Sequence, residues 1–211
     1  MGHDFHYLSK NEAMQVKSVL LDIIHEVQND VRGEFTFQYR IIGSASRNMI
    51  TYDAKSNTGF DFDVNLCINM KEKEYTAKEL RDILRNAIDK FAQKYGYKWC
   101  EDSTRVLTLK FVDQKQSKIL HSCDFAIVYD CKNGKQQYVK YDKNRDAYIW
   151  QIQPDDYRDI PKKMDWLKGK GLWSDLREYY IEKKNKNTNP DKTSRAIFAE
   201  AVNEMCQKNG Y

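Results

Sequence analysis

The chain has 211 residues, of which 41% are hydrophobic, 31% charged and 13% aromatic, and it carries a formal net charge of +4. That apolar and aromatic content excludes a disordered chain, and the length allows one sizeable core or a core with a small helical appendage. The mild basic excess suits a polyanionic ligand such as a nucleotide but falls short of a nucleic-acid-coating protein; no apolar run approaches the ~20 residues that cross a bilayer, and the five cysteines, odd in number and without a C-x-x-C pair, fit a reduced, cytoplasmic protein.

The first ten residues lack the apolar stretch of a secretory signal, and His3 and His6 precede any predicted element, so they read as a solvated, tag-like terminus and not as a metal pair. From Ser9, an N-cap with Glu12 three positions on, the apolar residues Ala13, Val16, Leu20, Ile23, Ile24 and Val27 recur at helical spacing. His25 within that helix reads as packed or surface-exposed. Gly33 ends the helix, and Phe35, Phe37, Tyr39 and Ile41 then alternate with Thr36, Gln38 and Arg40 as a strand. The strand runs into Gly43-Ser44. Glycine there permits a tight turn and close approach to a ligand, and Ser44 can cap a following short helix or offer its hydroxyl and amide to a phosphate. Residues 46–58 are polar and read as a loop.

The next stretch, Gly59 to Ile68, is the most informative. Phe60, Phe62, Val64, Leu66 and Ile68 fall on one face of a strand, and Asp61, Asp63 and Asn65 on the other. Two carboxylates at i and i+2 of one strand repel each other unless a cation offsets the cost, which makes Asp61 and Asp63 candidate metal ligands. A second amphipathic helix follows over 76–95, with Leu80, Ile83, Leu84, Ala87, Ile88 and Phe91 as its stripe and Gly96 as its stop. Strands are expected over 106–112, 120–129, 137–141 and 147–152, with Asn133-Gly134 as a hairpin turn between the second and third. Asp124 interrupts the apolar run Cys123 to Val128, where an aspartate belongs only if it is paired or binds a metal. His121, three positions earlier, falls on the opposite face and reads as structural.

Pro154 and Pro161 bracket a connecting segment, after which helices are expected over 162–168, 173–184 and 192–207. The chain thus divides into a core over 1–154 and a C-terminal helical region over 155–211. Lys183, Lys184 and Lys186 read as a solvated helix end, and Trp166, Trp173, Tyr179 and Tyr180 as packing residues.

Ile42-Gly43-Ser44-Ala45-Ser46-Arg47 with Thr51, then Gly59-Phe60-Asp61-Phe62-Asp63-Val64-Asn65-Leu66, and Asp124 on a later strand, form an ordered set. It resembles the nucleotidyltransferase superfamily that includes DNA polymerase beta, poly(A) polymerase, oligoadenylate synthetases and bacterial makers of cyclic oligonucleotides, over most of residues 34–130. The resemblance implies an α+β fold with a mixed β-sheet flanked by helices. It implies that Gly43 and Ser44 hold nucleotide phosphates, with Arg47 beside them, and that Asp61, Asp63 and Asp124 bind two Mg²⁺ or Mn²⁺ ions and are the catalytic residues. Oxygen donors suit those ions and not zinc. Lys55 and Arg105 are further basic residues that could approach a triphosphate. The implied reaction moves a nucleoside monophosphate from an NTP to an acceptor hydroxyl with loss of pyrophosphate. The acceptor is left open among small molecules, RNA, protein and a second nucleotide, and a setting in phage defence or a toxin–antitoxin pair fits without being required. The gap from Ser44 to Asp61 exceeds that of the most compact relatives, and the C-terminal region is short for template handling, so processive copying is not expected. The alternative from another class is a non-catalytic nucleotide- or nucleic-acid-binding module of the same fold, which has no need of three mutually repelling carboxylates. A structural Ca²⁺ on the acidic strand would leave Gly43-Ser44 unexplained.

Overall fold

The computed structural model describes residues 2–69, 75–154 and 159–211. Part of the connecting segment expected between Pro154 and Pro161, including the boundary at 155, lies outside the described residues. The chain packs as two compact units, one made of Leu8–Ile50 and Asn57–Gln153, the other of Met1–Tyr7, Thr51–Ser56 and Pro154–Tyr211.

In the second of these units, β1 (Phe5–Tyr7) pairs antiparallel with β3 (Thr51–Asp53). Both lie where the sequence leads one to expect irregular chain, because three-residue strands carry no readable periodicity. His3 is tied in: its Nδ1 lies 2.8 Å from an Asp53 oxygen, while the backbone N–H groups of Asp4 and Lys55 donate to the other. The tag-like reading of the N-terminus is therefore corrected. Three helices complete the unit: α3 (Ile160–Gly169), α4 (Trp173–Lys186) and α5 (Ser194–Lys208). On α4, Asn185 exchanges two hydrogen bonds with the Phe5 backbone. Lys184, read from sequence as solvated, is buried instead: its ammonium donates to Thr51 Oγ1 at 2.7 Å and sits 3.7 Å from the Phe5 ring centroid.

The larger unit begins with α1 (Lys10–Val31), whose Ser9–Glu12 capping box forms as the sequence predicts. It continues through β2 (Thr36–Ile42), β4 (Phe60–Asn69), α2 (Ala77–Ala92) and the strands β5 (Glu101–Asp102), β6 (Leu107–Asp113), β7 (Lys118–Asp130), β8 (Gln136–Asp142) and β9 (Ala147–Ile152). The seven strands form one sheet in the order β2-β4-β7-β6-β5, with β8 taking the edge of β7 beyond β6 and β9 outside it. Only β4 and β7 run parallel among these pairings, so the sheet is mixed.

The two helices share the sheet face that carries Phe62, Val64, Leu66 and Ile68, and Leu20, Ile23, Ile24 and Val27 of α1 and Leu80, Leu84 and Ile88 of α2 close the core over it. Ile83 and Phe91, counted in the sequence stripe, are only partly buried; Arg81 is fully buried in their place. Its guanidinium donates to Asp102 and to the carbonyls of Ser103 and Val106, and lies 4.7 Å from the Tyr148 ring centroid, so it staples α2 to the β5–β6 end of the sheet. His121, on the same face, is buried among aromatic rings. It stacks on Phe111 at 5.1 Å and hydrogen-bonds the Tyr97 hydroxyl at 2.8 Å. Burial holds its imidazole down at about 4, neutral at physiological pH. This is the structural role its position predicts. All five cysteines are free. Among the described residues no helix is long and apolar enough to cross a membrane.

Candidate active site

The acidic face is set by register. β4 and β7 are parallel, with Asp63 opposite Asp124 and Asp61 opposite Ser122. Neighbouring strands lie about 4.8 Å apart and side chains alternate with period two, so Asp61, Asp63 and Asp124 emerge on one face of two adjacent strands. On the other side of β4, β2 runs antiparallel and pairs Ile42 with Asp63. The residue after Ile42 is Gly43, and the Gly43-Ser44 turn therefore lands beside Asp63.

The turn is built around two left-handed residues. Gly43 has φ +64°, and a Cβ placed on it would fall on the Asp63 carboxylate, so glycine is required both by backbone and by space. A single turn of 3₁₀ helix spans Ala45–Arg47 and closes with Asn48 at φ 54°. The Ser44 carbonyl accepts from the N–H groups of Arg47 at 3.2 Å and Met49 at 2.9 Å, and the Ser46 hydroxyl donates to the Gly43 carbonyl at 2.9 Å. The Ser44 side chain does not cap this short helix, so of its two expected uses the capping one is not taken.

The electrostatics follow from burial and crowding. Asp63 is pushed up to about 6, first by burial and then by the charges of Asp124 and Asp61; the Arg47 guanidinium pulls the other way. Arg47 is thus close enough to act on the central carboxylate. Asp124 is also raised, again first by burial, while the Thr108 hydroxyl donates to its Oδ1 at 2.6 Å and Lys110 adds a favourable charge. The Ser122 hydroxyl donates to Asp61 Oδ1. Thr108, Lys110 and Ser122 escaped the sequence reading. They are unremarkable strand residues, and only the β6–β7 register, which sets Thr108 against Asp124 and Lys110 against Ser122, reveals them.

Gly43, Ser44, Arg47, Asp61, Asp63 and Asp124 are therefore brought together within one unit. Arg105 does not join them. Lys55 belongs to the other unit, and Arg105 stands over the Tyr138 ring, 5.6 Å from its centroid. Among the described residues no three His, Cys, Asp or Glu side chains converge as a formed ligand set. The hydroxyls of Ser122 and Thr108 each hold one oxygen of the two outer carboxylates, Asp61 and Asp124. The donor set itself, hard oxygen ligands only, fits Mg²⁺ or Mn²⁺.

No family model and no curated protein matches the chain. Solved structures do. The GTP-bound form of Vibrio cholerae DncV superposes with a TM-score of 0.60 at 16% identity, over 93% of this chain and 52% of that one. V. cholerae DncV, described as a cyclic AMP-GMP synthase and a prokaryotic cGAS homolog, gives 0.61 at 13% identity, over 93% and 67%. The Bradyrhizobium diazoefficiens CD-NTase CdnG in complex with GTP gives 0.59 at 12% identity, over 93% and 66%. This chain spans about half the length of the GTP-bound DncV chain. At these identities the likeness is one of fold, and it agrees with the mixed sheet and the flanking helices: the chain has the nucleotidyltransferase fold of DncV.

Proposed function

We propose that the protein is a metal-dependent nucleotidyltransferase that moves a nucleoside monophosphate from an NTP to an acceptor hydroxyl and releases pyrophosphate. The observation that carries the reading is the placement of Asp61, Asp63 and Asp124 on one sheet face with the Gly43-Ser44 turn packed against the middle carboxylate. Two half-buried acids, Asp63 and Asp124, with the exposed Asp61 beside them, cost stability through mutual repulsion, and a site for a cation-bound triphosphate turns that cost to use.

In this reading Asp61, Asp63 and Asp124 would hold two Mg²⁺ or Mn²⁺ ions, which when bound polarise the α-phosphate and neutralise charge on the leaving pyrophosphate. The chain's own groups do the rest. Backbone N–H groups of Gly43 to Ser46 and the Ser44 hydroxyl would face the phosphates, the Arg47 and Asn48 N–H groups being used inside the turn, and Arg47 adds a positive charge beside them. Ser122 and Thr108 orient the outer two carboxylates, fixing which oxygens remain for a cation. The likeness to GTP-bound DncV and CdnG supports an NTP as donor.

The test is transfer from the four NTPs, labelled on the α-phosphate, with Mg²⁺ or Mn²⁺ and total cellular RNA, comparing wild type with Asp61→Ala/Asp63→Ala. Label that moves to RNA, protein or a small product only with wild type supports the reading and names the acceptor class. Equal transfer by the double variant overturns it.

A further inference from the structure

We propose that a groove beneath the Gly43–Asn48 turn, on the side away from the carboxylates, binds a small amphipathic anion: a ring or short chain carrying one carboxylate, phosphate or sulfonate. The groove has a volume of about 260 Å³, with Leu8, Ala13, Met14, Ile41, Ile50 and Phe62 as its apolar lining. Its floor is made of core side chains, Phe62 at 2% and Ile50 at 6% exposure, and Lys10, Met14, Lys17 and Asn48 stand exposed around it. That volume lies just under the ~300–1,000 Å³ of drug-sized sites, which fits one ring system and leaves no room for a nucleoside triphosphate.

Charge fixes the polarity of the occupant. Lys10, Ala13, Met14 and Lys17 stand at i, i+3, i+4 and i+7 of α1 and share one stripe along the groove. Met14 is 66% exposed, an apolar and adaptable side chain left in water between two ammonium groups. Neither Lys10 nor Lys17 has an ion pair or hydrogen bond among the described residues, and no carboxylate lines the groove. The nearest acid on the same helix turn, Glu12, is held in the capping box by Ser9. An apolar floor under two unneutralised cations is complementary to an apolar body with an anionic head.

Position gives the site its consequence. Ala45 and Asn48 of the turn also border the groove, and Phe62 lies between Asp61 and Asp63 in the strand. An occupant packs against the back of the segment that, on the proposed function, faces the phosphates. Groove ligand and nucleotide would then change each other's affinity by one common factor. That coupling rests on the proposed function, whereas binding in the groove does not.

The full chain is titrated with 1-anilinonaphthalene-8-sulfonate, an aromatic sulfonate of the stated class, with fluorescence as readout and octanoate as competitor. Wild type is expected to bind at one saturable site from which octanoate displaces the dye. Lys10→Glu/Lys17→Glu is expected to weaken binding about tenfold, and Ala13→Trp to remove it by filling the groove, both at unchanged circular dichroism. Asp63→Asn is expected to leave the affinity unchanged, because that side chain emerges on the other face, so a failure of the nucleotidyltransferase reading leaves this result standing. No saturable site in wild type, or equal affinity in the charge-reversed and groove-filled variants, overturns the proposal.

Discussion

A half-buried and a buried group on opposite faces of the sheet bias the pH dependence of stability in opposite senses, and substituting one should expose the other. Asp63 is raised from 3.8 to about 6, first by burial, so the folded protein binds a proton there that the unfolded chain has already lost. Its contribution to stability falls as pH rises from about 4 to about 6, and the penalty is complete above that. His121 is lowered from 6.5 to about 4 by burial. Here the unfolded chain takes up the proton first, so stability rises with pH between about 4 and 6.5. At 1.36 kcal/mol per pH unit each has a ceiling of about 3 kcal/mol; for Asp63, which keeps some contact with solvent, screening reduces this to about 1–2 kcal/mol. In the wild type the two slopes oppose each other over the same window. Asp63→Asn should therefore gain about 1–2 kcal/mol at pH 7, or about 3–6 °C in Tm for a chain of this size, with the gain vanishing below pH 4. His121→Gln, which keeps an acceptor for Tyr97, should show the opposite slope. Urea unfolding between pH 4 and 8 in the presence of chelator measures both. An Asp63→Asn protein less stable than wild type at pH 7, or a pH profile unchanged by either substitution, would refute the reasoning.

Gly43→Ala places a methyl group on the Asp63 carboxylate at a φ of +64°; it should abolish nucleotide binding and cost about 1–3 kcal/mol in denaturant unfolding. Thr108→Val removes the hydroxyl that holds Asp124; transfer should fall about 10–100-fold, with thermal stability within ~1 kcal/mol of wild type and with recovery in Thr108→Ser. Arg81→Ala leaves two carbonyls and Asp102 without their shared donor inside the helix–sheet junction; unfolding should be easier by about 3–5 kcal/mol, and Arg81→Lys should not restore it, because an ammonium cannot span the fork.

Much of the site was legible because strand alternation is a strict code. It placed Asp61 and Asp63 together on the face away from Phe62 and Val64, and it placed His121 on the face away from Asp124, as the structure has them. What it could not give is register. The pairing of Asp63 with Asp124 joins strands far apart in sequence, and no local pattern encodes which residues meet. Thr108 and Ser122 were invisible for that reason, their hydroxyls gaining meaning only from the carboxylates opposite or diagonal to them. The N-terminus failed differently. His3 and Phe5 are ordered by Asp53, Asn185 and Lys184, partners from distant parts of the chain, and three residues of strand leave too short a trace for periodicity to show. Lys184 broke the rule that a lysine run is solvated because an aromatic ring and a threonine hydroxyl meet its ammonium.

The most direct measurement of the central claim is Mn²⁺ binding, followed by electron paramagnetic resonance, with and without a nonhydrolysable NTP in wild type, Asp63→Asn and Asp124→Asn. If the three aspartates and the Gly43-Ser44 turn form one site, wild type binds Mn²⁺ more tightly when the nucleotide is present, and both variants lose that nucleotide-dependent binding while remaining folded. Equal nucleotide-dependent Mn²⁺ binding in all three proteins would contradict the assignment of the acidic face as the site.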